Sequence, residues 1–174
     1  MGDAVDRLIS QWRRERPDQA LDAMATIGRL GRLAAVAGPR VEAGLARHGL
    51  ALGEFDVLAA LRRAGEPFTL TPGVLARTLM LSPAAMTNRL DRLEGAGLVA
   101  RRLDPGNRRS ILVTLTDPGR RRVDAAVTDH VATEETLLAA LSAADRRRLD
   151  DLLRRLLASL EPAPAPGPAP GPAQ

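Results

Sequence analysis

Apolar residues recur at three- and four-residue spacing along most of this chain, and in one short stretch they alternate instead. Val5, Leu8, Ile9 and Trp12 predict a short amphipathic helix within Asp3–Arg16, stopped near Pro17. Asp18 then caps a long helix with the stripe Leu21, Met24, Ile27, Leu30, Leu33, Val36, Val41 and Leu45, ending near Gly49. Gly38-Pro39 inside it predicts a kink or break, because proline lacks the N–H that the helix needs. Phe55, Leu58 and Leu61 define a helix from Glu54 to Arg63, which Gly65-Glu66-Pro67 ends. Thr71 before Pro72 and Ser82 before Pro83 each start a further helix: the hydroxyl accepts a free N–H, and proline at the first position has none to satisfy. The first of these is short (Val74, Leu75, Leu79); the second turns Met86, Leu90 and Leu93 inward and stops at Gly95-Ala96-Gly97. The period then changes. Leu98–Leu103 and Ser110–Leu115 read as strands joined by a glycine-containing linker, 104–109. Thr116-Asp117-Pro118 restores a helix to about Ala140, and Ser142 with Asp145 opens a last one to Leu160.

Helix, glycine stop, strand, arginine-tipped turn, strand and helix is the order of parts in a winged helix-turn-helix. The predicted fold is therefore mostly α with a small β-hairpin wing, its N- and C-terminal helices forming a dimerisation domain. The expected divisions are 1–48 for an extra helix plus a dimerisation helix, 54–115 for the winged helix-turn-helix, 117–160 for C-terminal dimerisation helices and 161–174 for a disordered Pro/Ala/Gly tail. Leu137, Leu138, Leu141, Leu149, Leu152, Leu153, Leu156 and Leu157 form an apolar surplus, explained if the terminal helices of two subunits pack together. A thick intrachain core is the alternative. A two-fold homodimer would set two recognition helices roughly 34–36 Å apart on a pseudo-palindrome.

Charge sharpens this picture. Between Ser82 and Arg122 nine arginines face four acids, a balance of +5 against +4 for the whole chain, so the rest sums to −1. All 25 basic residues are arginine, which a coding bias accounts for; arginine nonetheless suits phosphate and guanine. With Trp12, Phe55 and Phe68 as the only aromatics, a base-stacking platform for single strands is disfavoured. Absence of cysteine removes disulfides and thiolate metal sites, and His48 and His130 stand in no ligand spacing. No nucleophile–base arrangement or phosphate loop is present, so no enzyme activity, cofactor or metal is expected. Lacking a signal-peptide core and any 18-residue apolar run, the chain is expected to be cytoplasmic and free of membrane.

The candidate DNA contacts follow from position. Ser82 and Pro83 open a helix whose first amides suit a phosphate. Ala84, Ala85, Thr87 and Asn88 are small or hydrogen-bonding, as close approach to base edges requires. Arg89 and Arg92 extend from the same helix, and Arg108 and Arg109 tip the hairpin, suited to backbone or minor groove. An ordinary surface helix followed by a solvated turn is the bland alternative, and an adaptor using the fold without DNA is another.

The run LSPAAMTNRLDRLEGAGLVARRLDPGNRRSILVTLTDPGR resembles the signature region of the MarR family of dimeric winged-helix transcriptional regulators, and the likeness extends over about residues 4–160. Asn107 stands where family wing tips commonly carry an acid, which removes any salt bridge from that position. The extra N-terminal helix with Trp12, together with EFDVLAALRR and MTNRLDRLE, resembles the urate-responsive subgroup. That resemblance implies a ligand and relay site made of Trp12, Asp56, Arg89 and Arg101. An aromatic face stacks on a flat ring, arginine pairs with an anion, and the anion's repulsion of Asp56 shifts the adjacent recognition helix. The implied function is a ligand-responsive repressor released from duplex DNA by a small anionic metabolite, urate or a related purine or carboxylate. Alternatives remain: Trp12 as a core or dimer anchor, Asp56–Arg89 as a structural ion pair, a phenolic, antibiotic or organic-acid effector, or constitutive DNA binding.

Overall fold

The computed structural model describes residues 2–161, so the predicted Pro/Ala/Gly tail lies outside the described residues apart from Glu161. In chain order the elements are α1 (Ala4–Glu15), α2 (Asp22–Ala46), α3 (Leu52–Arg63), β1 (Thr69–Leu70), α4 (Pro72–Thr78), α5 (Pro83–Gly95), β2 (Val99–Asp104), β3 (Asn107–Leu115), α6 (Asp117–Leu137) and α7 (Ala143–Leu160). They fall into two compact units, one ending at Glu134 and the other beginning at Glu135.

In the first unit α3 is the central element. Val57, Leu58 and Leu61 are fully buried. Leu75 of α4, Met86, Leu90 and Leu93 of α5, Val113 and Leu115 of β3, and Val123 of α6 belong to the same core. Each such side chain contributes roughly 1.5–3 kcal/mol on burial, so the core fixes the rotation of α5 about its axis. A smaller cluster of Val5, Ile9 and Leu21 joins α1 to α2, and Arg29 adds ion pairs to Asp3 (2.8 Å) and Asp6.

The caps form where the hydroxyls predicted them. Thr71 Oγ1 accepts the Val74 N–H at 3.3 Å, Ser82 Oγ that of Ala85 at 3.3 Å and Ser142 Oγ that of Asp145 at 3.2 Å. Asp18 is a correction. Its carboxylate is taken by Arg16 at 2.9 and 2.8 Å and by Gln19 at 2.8 Å, and α2 starts four residues later, at Asp22. Pro39 does not break α2 either; Ala35 and Pro39 are both exposed, so water can reach the carbonyl that the proline cannot bond.

The sheet is antiparallel with order β1-β3-β2. Strand β1 was not foreseen, because two residues carry no period; it exists through Thr69 opposite Thr114, whose hydroxyls bond at 2.8 Å. The hairpin is tighter than the predicted 104–109 linker: Asp104 pairs with Asn107 around Pro105-Gly106, and Arg109 lies within β3. Asn107 Oδ1 accepts the Arg109 N–H at 3.2 Å.

Two turns set the position of α5. Before it, the Leu81 N–H bonds Ala76 O at 2.9 Å and the Met80 N–H bonds Arg77 O at 3.2 Å, a Schellman close that puts Met80 at φ 51°. After it, Gly97 takes the left-handed position at φ 69°, and the Leu98 N–H bonds Leu93 O at 2.9 Å. Thr116 then joins α5 to α6: its Oγ1 donates to Gly97 O at 2.8 Å and accepts the Gly119 N–H at 3.1 Å.

The second unit consists of the end of α6, a turn and α7. Ser142 caps α7, and Arg146 pairs with Glu135 while its Nε donates to Leu141 O at 3.3 Å. No residue of α7 is buried; Leu152, Leu157 and Leu160 are 52%, 53% and 73% exposed. Among the described residues no helix is long and apolar enough to cross a membrane.

Candidate functional site

Helix α5 has two faces. Met86, Leu90 and Leu93 point into the core, which leaves Ser82, Pro83, Ala84, Thr87, Asn88 and Arg92 exposed and Ala85 and Arg89 half-buried. Thr87 Oγ1 donates back to Pro83 O at 3.0 Å, which orients that hydroxyl. Arg109 is exposed along β3, and the side chain of Arg108 lies outside the described residues. Arg92 does not extend freely: its Nε lies 3.0 Å from Glu54 at the start of α3, although most of the side chain stays in solvent.

Arg89 takes a different course. Its guanidinium lies over Gly53 and donates from Nη1 to Gly53 O at 3.4 Å. A Cβ on Gly53 would fall 2.3 Å from Arg89 Cζ, so glycine is what lets the side chain lie there. Arg89 and Gly53 line a cavity of about 500 Å³ together with Glu42, Leu52 and Asp56. Asp56 also lines a second cavity, of about 550 Å³, with Phe55, Arg63, Val127 and His130. In that second cavity the Phe55 and His130 rings are 4.8 Å apart. Arg62 at its edge is already paired with Asp124 at 2.8 Å and lies over Phe68 at 5.1 Å. Burial pushes the Asp56 carboxyl above the ordinary aspartate range, opposed first by the charge of Arg89 and then by His130 and Arg63. One carboxyl thus responds to charge on both sides of α3.

Of the four residues implied as a ligand and relay site, Asp56 and Arg89 share a cavity wall, whereas Trp12 and Arg101 line neither cavity. Trp12 is 44% exposed on α1. Arg101 grips α5 from β2: its Nε donates to Glu94 at 2.8 Å, its Nη1 lies 2.8 Å from Asp91, and its own N–H donates to Glu94 at 3.0 Å. That pairing holds the Glu94 carboxyl below its ordinary range. Gly53, Glu54, Asp91 and Glu94 were not singled out from sequence. The last two sit ten and seven residues before Arg101 across a glycine turn, a spacing with no standard signature.

Comparison with known proteins gives this geometry its context. Residues 48–110 match the MarR family. The HTH-type transcriptional regulator PecS of Dickeya dadantii is 36% identical over 152 residues, covering 87% of this chain and 92% of PecS. The crystal structure of the Mycobacterium tuberculosis MarR family protein Rv2887 in complex with p-aminosalicylic acid is 35% identical, with a TM-score of 0.59 over 73% of this chain and 94% of that one. A cysteine-to-serine mutant of MarR from E. coli, crystallised with operator DNA, is 26% identical and superposes with a TM-score of 0.70 over 80% of this chain and 99% of that one. With a core-anchored recognition helix, a hairpin wing and an identity to PecS that spans nearly the whole of that relative, the chain belongs to the MarR family of winged-helix, DNA-binding transcriptional regulators.

Proposed function

We propose that this protein represses transcription by binding a pseudo-palindromic operator as a homodimer, and that a small anionic metabolite entering beside Asp56 releases it. The observation that carries the reading is Arg89: one side chain on the recognition helix reaches back over Gly53 to the cavity holding Asp56. An anion drawn to that guanidinium competes with its bond to α3 and raises the cost of an ionised Asp56, so the ligand favours a different placement of α5. Release requires only that the ligand bind the DNA-incompetent placement more tightly.

On the DNA side, Ser82, Pro83, Ala84, Ala85, Thr87 and Asn88 meet base edges or phosphate, with Arg92, Arg108 and Arg109 on the backbone. Arg101 has the relay role, coupling the wing to α5 through Glu94 and Asp91. Trp12 joins the ligand site by resemblance alone. The dimer is supported by the unpartnered leucines of α7 and, on α1 and α2, by Leu8, Ile27 and Leu33 at 46%, 61% and 58% exposure.

The test is a mobility shift on the DNA upstream of the gene with urate, xanthine and citrate titrated in. Dissociation with urate supports the reading; unchanged binding with all three removes this effector class. A second reading is an aromatic acid in the Phe55–His130 cavity, favoured by two aromatic rings tilted at 46° to each other beside Arg63. Salicylate releasing DNA where urate does not would establish it.

A further inference from the structure

A third cavity, of about 650 Å³, opens between the end of α2 and the start of α6; three arginines, Arg47, Arg121 and Arg122, line it with His48, and no carboxylate is in its wall. We propose that it binds a small polyphosphorylated metabolite, such as a nucleoside di- or triphosphate, at a site separate from the Asp56 cavities.

The chemistry points to phosphate. Three guanidiniums converge on one space, and a monocarboxylate satisfies one of them; a diphosphate offers enough oxygens for bidentate pairing with several. Each of these side chains stands differently. Arg122 is fixed: its Nη1 donates to His48 O at 2.9 Å, and it packs 3.3 Å from where a Cβ on Gly49 would stand. Gly49, at φ 67°, both turns the chain out of α2 and leaves room for that guanidinium. His48 is oriented by Asp129, 2.9 Å from its Nε2. Arg47 and Arg121 have no ion pair among the described residues, and both are exposed at the cavity wall. Two arginines without an ion pair among the described residues, beside a third bonded to a backbone carbonyl, leave a charge that a polyanion would neutralise. The volume lies within the few-hundred to thousand Å³ range of small-molecule sites.

DNA phosphate is the competing source, and the topology disfavours it. β3 runs from the wing tip at Asn107 to its base at Leu115, nine residues or about 26 Å at strand rise. α6 leaves from that base, and Thr116 ties its start to Gly97, at the end of α5 opposite Ser82. The cavity therefore sits at the far end of both DNA-facing elements.

The experiment is calorimetric titration of the full chain with inorganic pyrophosphate at low salt, using wild type, Arg47→Gln, Arg121→Gln and Arg89→Gln. Saturable binding, weakened about tenfold or more by each of the first two substitutions and unaffected by the third, is expected, since each removes one charge-assisted contact. Thermal melts matching wild type establish that the variants fold. No saturable heat in wild type, or equal binding by Arg47→Gln and Arg121→Gln, overturns the proposal. So does a loss of operator affinity in those two variants without pyrophosphate, which makes the cavity a DNA-backbone contact. Urate release should persist in both and fail in Arg89→Gln, so the two sites stand or fall separately.

Discussion

Two glycines that each abut another segment of the chain should respond in opposite ways to a single added methyl. At Gly53 the Cβ of an alanine would lie 2.3 Å from Arg89 Cζ and 2.7 Å from its Nε and Nη1, all at the far end of a flexible side chain. At Gly119 it would lie 2.0 Å from the Leu98 carbonyl oxygen and 2.9 Å from its carbon, which are backbone. Both residues are helical with ordinary negative φ, so neither substitution strains its own backbone. Gly53→Ala should expel the Arg89 guanidinium at little cost. The lost 3.4 Å hydrogen bond is long, and helix propensity returns up to about 1 kcal/mol. Stability should then stay within about 1 kcal/mol of wild type, a shift of roughly 2–4 °C or less in Tm for a chain this size. Gly119→Ala must separate α6 from the end of α5, and should cost at least the roughly 1–3 kcal/mol of an overpacked core. Calorimetric melts would measure both, with operator mobility shifts with and without urate on Gly53→Ala. That variant should bind DNA and lose its response to effector. A melt lowered by several degrees at Gly53, or an intact response, would show that Arg89 does not depend on this glycine or that it is not the relay.

Other outcomes follow from the same geometry. Arg109→Ala should weaken binding to all duplexes alike and lower the salt slope by about one, read from titrations at several salt concentrations. Thr87→Val and Asn88→Ala should instead cost about 1–3 kcal/mol on the operator and little on random duplex; equal losses on both would refute base reading. Asp56 has a folded pKa raised by burial, so its contribution to stability is full below its unfolded value and is lost as pH rises through the folded one. Asp56→Asn should therefore be neutral or stabilising at pH 7 and should flatten the stability profile above pH 3.8, as denaturant melts across pH would report. Glu94 has the opposite sign: its stabilising pairing with Arg101 is present above the ordinary glutamate pKa and lost as pH falls through the depressed one. Arg101→Met should remove that acid-side loss and weaken operator binding without changing the helical circular dichroism.

The elements legible in the sequence were those that carry their own local chemistry. Ser82, Thr71 and Ser142 announce helix starts because the cap is made within three residues, and Gly97 announces an end because the left-handed position favours it. Met80 fills the equivalent left-handed position at the end of α4 without glycine, so its residue type does not announce the turn. Asp18 looked like a cap because nothing in the local string shows Arg16 turning back onto it. β1 was illegible for the reason that two residues have no pattern until β3 lies beside them. The site divides the same way. The face of α5 could be read from Met86, Leu90 and Leu93, whereas the Gly53–Arg89 approach joins positions 36 apart and the Glu54–Arg92 pair positions 38 apart. Both depend on how α3 packs against α5.

Thr116 bears on how such proteins can be recombined. Its hydroxyl serves the last turn of one helix and the first turn of the next, and Gly119 is pressed against the chain that leaves the former. A chimera made to exchange operator preference between relatives therefore has a natural cassette running from Ser82 through Gly119. Splicing after Gly97 would pair one parent's glycine exit with the other's hydroxyl, and splicing before Asp117 would part that hydroxyl from the Gly119 N–H it accepts.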